Sequence, residues 1–226
     1  MTNLKGQDDG EDDRSLAGQI ARTLSRRIVV GELAPGTPLR QDHVAGEFRA
    51  SHVPVREAFR KLEAQGLVTG APRRGVRVTL LNPAALLEIT EMRAALEVLA
   101  LVHAIPKLTE ADLAEAQATL EAGETSDDIA VWEAANRRYH AALWRPCGMP
   151  RLLATLDDLN RAAARYLYAT WKELDWQPRS DREHRALLAA LRAGDGALAC
   201  ERLGDHIRDA GKALHARLTD VGASQA

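Results

Sequence analysis

The stretch from Leu39 to Val78, LRQDHVAGEFRASHVPVREAFRKLEAQGLVTGAPRRGVRV, restricts the fold more than any other part of the chain. Its first part reads as a short helix from Arg40 to Phe48, with Val44, Ala45 and Phe48 at helical spacing. After the turn Arg49-Ala50-Ser51, Ser51 is placed to cap a second helix, and Pro54 falls in that helix's first turn, where backbone N–H groups lack partners anyway. Val55, Ala58, Phe59 and Leu62 make its buried stripe, while His52, Arg56, Arg60 and Lys61 give it a basic outer side. Gly66 ends the helix. Two β-capable runs, Leu67-Val68-Thr69 and Val76-Arg77-Val78, then flank a turn from Gly70 to Gly75. Helix, tight turn, basic helix and an arginine-tipped hairpin describe a winged helix-turn-helix, whose second helix enters the major groove of double-stranded DNA. The residues expected to face DNA are Arg40, Ser51, His52, Arg56 and Arg60, with Arg73, Arg74 and Gly75 on the hairpin.

The net charge of −2 would by itself argue against DNA as a partner, but the distribution of charge argues for it. Residues 14–80 carry 12 basic against 5 acidic side chains, whereas residues 1–13 and 81–226 are both net acidic. Cys147 and Cys200 have no metal-type spacing, and two cysteines suit a reducing cytosol. No long apolar run and no basic-then-apolar leader is present, so neither a membrane span nor a signal peptide is expected, and the expected compartment is the cytoplasm.

Residues 1–13 read as a disordered acidic arm, 14–80 as the DNA-binding domain, 81–220 as a helical domain and 221–226 as a tail. Ser15 can cap a helix running to about Val30, with Ile20, Leu24 and Ile28 at four-residue steps. Beyond the cap-and-proline pair Asn82-Pro83, alanine and leucine dominate and no strand pattern appears. Six helices are expected, at about 83–104, 109–122, 128–145, 150–172, 180–193 and 196–219. The breaks between them fall at Pro106, Gly123, the segment 146–150, Pro178 and Gly194. The expected fold is mainly α: an N-terminal winged helix-turn-helix and a C-terminal six-helix bundle.

At about 100° per residue, three histidines on three of these helices face inward. His140 lies beside Trp132, Ala135 and Leu143; His184 continues the stripe of Leu187, Leu188 and Leu191; His206 lies among Leu203, Ile207 and Ala210. One inward histidine is ordinarily a satisfied core residue. Three in one small bundle fit a divalent transition-metal site, since neutral imidazoles on facing helices are suited to zinc, nickel or manganese. Glu133, on roughly the same face as His140, could add a carboxylate. Arg93 and Glu97 point inward one turn apart, either as an internal ion pair or with Arg93 offering its fork to a bound carboxylate. Tyr139, Tyr166 and Trp171 could wall a pocket, though aromatic residues at helical spacing are more often plain core.

The runs GELAPGTPL (31–39), SHVPVREAFRKLEAQGLV (51–68) and RRGVRV (73–78) resemble the DNA-binding domain of the GntR family of bacterial transcription regulators. His52 stands where that family usually has arginine, and Phe59 where it usually has leucine. The helical remainder, with RAALE (93–97), NRRYH (136–140), EHRALLAALRAGD (183–195) and His206 eleven residues later, resembles the FCD effector domain of the FadR branch. Its six helices point to the VanR-like subgroup. The resemblance implies metal ligands at His140, His184 and His206, with a fourth from Asn136, where the family often has aspartate. It also implies that Arg93 lines an effector cavity and that the chain is a homodimer reading a palindromic operator.

The expected function is therefore that of a metabolite-responsive repressor, released by a small organic acid bound at the metal site. Two other readings stay open. One is a metal-dependent, hydrolase-like enzyme in which three histidines activate water, with Glu133 the one candidate for proton transfer. The other is a DNA-binding protein whose metal is purely structural.

Overall fold

Ser15 opens the first helix by accepting a hydrogen bond from the backbone N–H of Gly18 at 3.0 Å. The computed structural model describes residues 15–71, 75–171 and 176–223. The expected arm at 1–13 lies outside them, as do Arg73, Arg74 and the last residues of the tail. Two compact units result, Met1–Leu81 and Asn82–Ala226.

In the first unit, α1 (Leu16–Val29), α2 (Gln41–Phe48) and α3 (His52–Ala64) pack with a small sheet made of β1 (Pro38–Leu39), β2 (Val68–Ala71) and β3 (Gly75–Val78). The sheet order is β1-β3-β2 and both pairings are antiparallel, with Leu39 opposite Val76 and Val68 opposite Val78. The two-residue strand β1 was not expected from the sequence. It is carried by Pro38, whose missing N–H suits an edge position. Ile20, Leu24 and Ile28 of α1 meet Val44 of α2, and Val55, Phe59 and Leu62 of α3, in one core. Removing a fully buried leucine such as Leu62 costs about 2–5 kcal/mol. The tight turn between α2 and α3 places Arg49 at φ 49°. The turn thus holds a non-glycine residue in the left-handed region, at a cost of about 1–2 kcal/mol.

Ser51 occupies the cap position of α3 with extended backbone, but its hydroxyl makes no capping hydrogen bond. Ser51 is thus the cap residue that the sequence predicts, without the capping bond, and one cause lies three residues on. A cap hydroxyl bonds the N–H of the second or third helical residue, and the third is Pro54, which has none. The hydroxyl is left exposed at the start of the basic helix.

The second unit holds α4 (Pro83–Ala104), α5 (Glu110–Glu124), α6 (Ile129–Trp144), α7 (Pro150–Thr170), α8 (Gln177–Arg192) and α9 (Gly196–Ala223). Several starts have a clear local cause. Asn82 caps α4 through Ala84, Thr109 and Asp112 form a reciprocal capping box on α5, and Asp128 caps α6 through Ala130. Pro178 was expected to break the chain before a helix at 180. Instead α8 begins at Gln177 and Pro178 sits in its first turn, where a proline removes no needed donor. Leu101, Leu113, Leu120, Tyr139, Leu143, Leu187, Leu188 and Leu203 form the main core between α4, α5, α6, α8 and α9. Close approach of α9 to α4 depends on Gly211, where a Cβ would collide with the side chain of Thr90. No helix among the described residues is long and apolar enough to cross a membrane.

Candidate functional site

Each unit presents one site. In the first, Arg56 and Arg60 project from the outer face of α3 and are exposed. With Arg40, Asp42, Glu63, Gly75 and Arg77 they line an open groove between α2, α3 and β3. His52, at the start of α3, is also exposed, with Nε2 3.2 Å from Oδ1 of Asp42. Gly75 has φ +80°, and a Cβ there would meet the carbonyl oxygen of Leu39 at 2.8 Å. Glycine is therefore required for β3 to pair with β1, whatever else it does. Arg77 belongs to the groove although it was not among the expected DNA-facing residues. Its signal was the alternation of strand β3, where Val76 and Val78 are buried and Arg77 is not. Glu63 fastens the hairpin to α3 by accepting from the N–H of Gly70 at 2.9 Å.

In the second unit, α6, α8 and α9 bring His140, His184 and His206 together, all three buried. Nε2 of His184 lies 3.2 Å from Nε2 of His140 and 3.1 Å from Nε2 of His206. The outer nitrogens of the flanking rings both face carboxylates, with a hydrogen bond completed at His206 but not at His140. Oε2 of Glu97 is 3.0 Å from Nδ1 of His140, and Oε2 of Glu183 is 2.8 Å from Nδ1 of His206. A carboxylate hydrogen-bonded at Nδ1 keeps the proton there, so the His206 ring turns a lone pair inward from Nε2. His184 has at most one Nε2 proton, enough for one of its two neighbours. The trio is short of a donor, and one cation placed among the three nitrogens would satisfy all of them.

Electrostatics favour the neutral rings that a metal requires. Burial pushes the imidazole of His184 well below its ordinary range, and His206 and His140 add to the effect. Burial also lowers His206, against the opposing pull of Glu183. For Glu97 burial acts upward, yet Arg93 and His140 together overcome it and hold the carboxyl at about 2. Arg93 donates from Nε and Nη2 to one oxygen of Glu97, at 3.0 and 2.9 Å, and the other oxygen lies 3.0 Å from Nδ1 of His140 without a completed hydrogen bond. Tyr139 underpins the cluster: its hydroxyl donates to the carbonyl of His184 at 2.8 Å, and its ring lies 4.3 Å from the His184 ring.

Beside the histidines is a cavity of about 60 Å³, bordered by Arg93, Glu133, Asn136, His140 and His206. Asn136 contributes a buried Oδ1 with no hydrogen-bond partner. A carbonyl oxygen left bare beside three converging lone-pair nitrogens fits a divalent cation, and an Nε2 spacing of 3.1–3.2 Å fits imidazoles that each sit about 2.1 Å from a shared ion. Among the described residues, the ligand atoms of histidine, cysteine and acidic side chains that converge here are those of the three histidines, so Glu133 is not one of them.

The aromatic wall is made by Trp132 and Trp176 rather than by the three residues considered from sequence. Tyr139 lies under His184, Tyr166 donates to the carbonyl of Asn82, and Trp171 packs on Trp132 at 5.1 Å. The carboxylate partners of the histidines were the main omission. Helical spacing pairs Glu97 with Arg93 and carries no sign of Glu183's role. Glu183 belongs to α8 yet serves a histidine on α9, a pairing that no helical wheel can show.

The chain matches two family descriptions. Residues 16–78 match "Bacterial regulatory proteins, gntR family", and residues 88–209 match the FCD domain. It is 30% identical over 187 residues to the HTH-type transcriptional regulator McbR of Escherichia coli, covering 80% of this chain and 84% of that protein. It is 31% identical over 197 residues to the E. coli HTH-type transcriptional repressor GlaR, covering 82% and 90%. Among solved structures, E. coli McbR/YncC superposes with a TM-score of 0.79 at 26% identity, over 90% of this chain and 99% of the other.

Proposed function

The chain belongs to the GntR family of bacterial regulatory proteins and joins that family's DNA-binding unit to an FCD domain, and from this we propose a homodimeric repressor that leaves its operator when a small organic acid binds the C-terminal unit. It is a transcription regulator, and its relatives are regulators and repressors rather than enzymes. On this reading Arg56, Arg60 and His52 present the groove-reading face of α3. Arg40 and the free hydroxyl of Ser51 contact phosphates, and Gly75 and Arg77 carry the wing with Arg73 and Arg74. The two heads of a dimer read half-sites about one helical turn apart, so a small displacement costs register.

The effector site is the cavity beside the histidines. His140, His184 and His206 would hold a divalent transition ion, zinc, nickel or manganese, and Asn136 would add a neutral oxygen. Because all four donors are neutral, such an ion would supply undiminished positive charge to an incoming carboxylate. Glu97 and Glu183 orient two of the rings, Trp132 and Trp176 exclude water, and Arg93 offers its remaining donors to the acid. Arg93 and Glu97 both sit on α4, the helix that directly follows the DNA-binding unit in the chain. Pulling on Arg93 therefore bears on the helix that connects effector site to reader.

The bare Oδ1 of Asn136 beside three converging imidazoles is the observation that carries this reading. Elemental analysis of untagged protein purified without chelator should find close to one transition ion per chain. Carboxylic acids should raise its melting temperature, and chelator should abolish that rise. Metal-free protein that responds to acids unchanged would remove the ion from the proposal and leave Arg93 as the anchor.

A further inference from the structure

Among the described residues of the first unit, the large apolar side chains left exposed are those of Leu16, Val53 and Leu80. Leu16 begins α1, and Leu80 lies beside the junction with the second unit. Val53 is different: it is the second residue of α3, the basic helix, and is 52% exposed. Packing does not call for an apolar residue there. The positions that staple this helix start are filled by Ala50, which packs against the core, and by Val55, which is buried in it. Nor does helix propensity call for one, since an exposed β-branched residue is a weaker helix former than alanine.

Val53 points outward. At about 100° per residue it falls almost opposite the buried stripe of Val55, Ala58, Phe59 and Leu62. Arg56, Glu57 and Arg60 follow on that outer side, and all three are exposed. A recognition helix contacts base edges with its N-terminal residues, so Val53 stands among the side chains nearest the bases. A valine side chain has no donor or acceptor to offer them. The apolar feature on the major-groove edge of a base pair is the 5-methyl group of thymine. The other groups on that edge form hydrogen bonds, and each would lose water to a valine without gaining a partner. The stiff χ1 of valine also means that little freedom is lost when its methyl groups are held against another surface.

We propose that Val53 reads a thymine, its side chain packing on the 5-methyl group in each operator half-site. Val53 and Arg56 are about 4.5 Å apart along the helix axis, against about 3.4 Å per base step. The thymine therefore lies within about two steps of the base that Arg56 contacts. This rests on the reading of α3 as the groove-reading helix, and adds to it a base that no charged side chain selects.

The test begins with selection of duplexes from a random pool by the full-length chain. Each thymine of the selected half-site is then replaced by deoxyuridine, which removes the 5-methyl group and leaves base pairing unchanged. At one position the wild type should lose about fourfold in affinity, the worth of one methyl-sized group returned to water. Val53→Ala should bind the thymine operator at least fourfold more weakly, and should no longer distinguish thymine from deoxyuridine at that position. This substitution removes exposed carbons only and raises helix propensity, so the fold is retained. Arg56→Ala should instead keep the deoxyuridine effect and lose the preference at a neighbouring base pair.

Tolerance of deoxyuridine at every position by the wild type overturns the inference. So does a deoxyuridine effect of unchanged size in Val53→Ala, because the methyl group would then act through the stiffness of the DNA or through another side chain. In both cases the reading of α3 stands, provided that Arg56→Ala weakens binding. A full-length chain that selects no sequence, or an Arg56→Ala variant with wild-type affinity, overturns the groove-reading assignment and this inference with it.

Discussion

Replacing Glu97 by glutamine keeps its shape but strips the charge that holds both Arg93 and His140. Arg93 would be left half-buried beside a neutral amide, and Nδ1 of His140 would lose the charged neighbour 3.0 Å away. Partners of this kind typically change metal affinity by about 10–100-fold, and a loss of that size is expected for Glu97→Gln in a competition titration with a chromophoric chelator. Unaltered metal affinity would mean that His140 is oriented by packing alone. In the first unit, Arg56→Ala should weaken operator binding by about 1–3 kcal/mol in a mobility-shift assay, the scale of one lost base contact, without changing the fold. At this scale the sequence was readable only where residues act singly. Helical spacing brought His140, His184, His206 and Arg93 inward. It could not show that Glu183 reaches across to α9, nor that Pro54 would strand the hydroxyl of Ser51, because each depends on an atom supplied, or withheld, by another residue.

Elements were the most legible level, because each carries its own start and stop. Asn82-Pro83, Gly66 and Gly194 are local signals, and the helix boundaries follow from them within a few residues. The short strand β1 was not legible: Pro38 and Leu39 become a strand only because β3 pairs with them. That dependence makes Gly75 the element's weak point. Its φ of +80° suits glycine, and a Cβ would stand 2.8 Å from the carbonyl of Leu39. Gly75→Ala should therefore loosen the β1–β3 pairing, lower the thermal midpoint of the first unit and weaken operator binding without removing any basic side chain. Hydrogen exchange should quicken at Val78, whose N–H donates to Thr37, and circular dichroism of the second unit's helices should not change. Exchange rates at wild-type values would show that the strands absorb the methyl group. The titration of the histidine-bearing helices is a second property of this scale. His184 and His206 have lowered folded-state values, so the unfolded chain binds more protons than the folded one as the pH drops below about 6.5. Stability from these rings is complete above that value and is lost on acidification. The loss from Glu97 comes later, between its ordinary range and about 2. In chelator, melts of the second unit should be flat above about pH 7 and fall steadily toward pH 5. A constant midpoint across that interval would mean that the rings take up protons as readily folded as unfolded.

In the whole molecule the chain passes from the first unit to the second at Asn82, directly before α4 of the second unit. His184→Ala separates the functions: the ring is buried in the second unit, and its contacts are with His140, His206 and Tyr139 of that same unit. The variant should lose metal and acid response while still binding operator. The stricter test is thermodynamic. If an acid weakens operator binding by some factor, operator must weaken acid binding by the same factor, because both describe one coupling free energy. A useful regulator needs about 1–3 kcal/mol of it, or about 5–150-fold. Calorimetric titration of the acid into free protein and into the protein–operator complex gives one ratio. Operator affinity with and without saturating acid gives the other. The two should agree within error in the wild type and both collapse to one in His184→Ala. Agreement in the wild type with persistence in His184→Ala would place the acid elsewhere in the chain. A wild-type ratio of one from both sides would show that the acid binds without regulating, leaving the histidine cluster a structural element of the bundle.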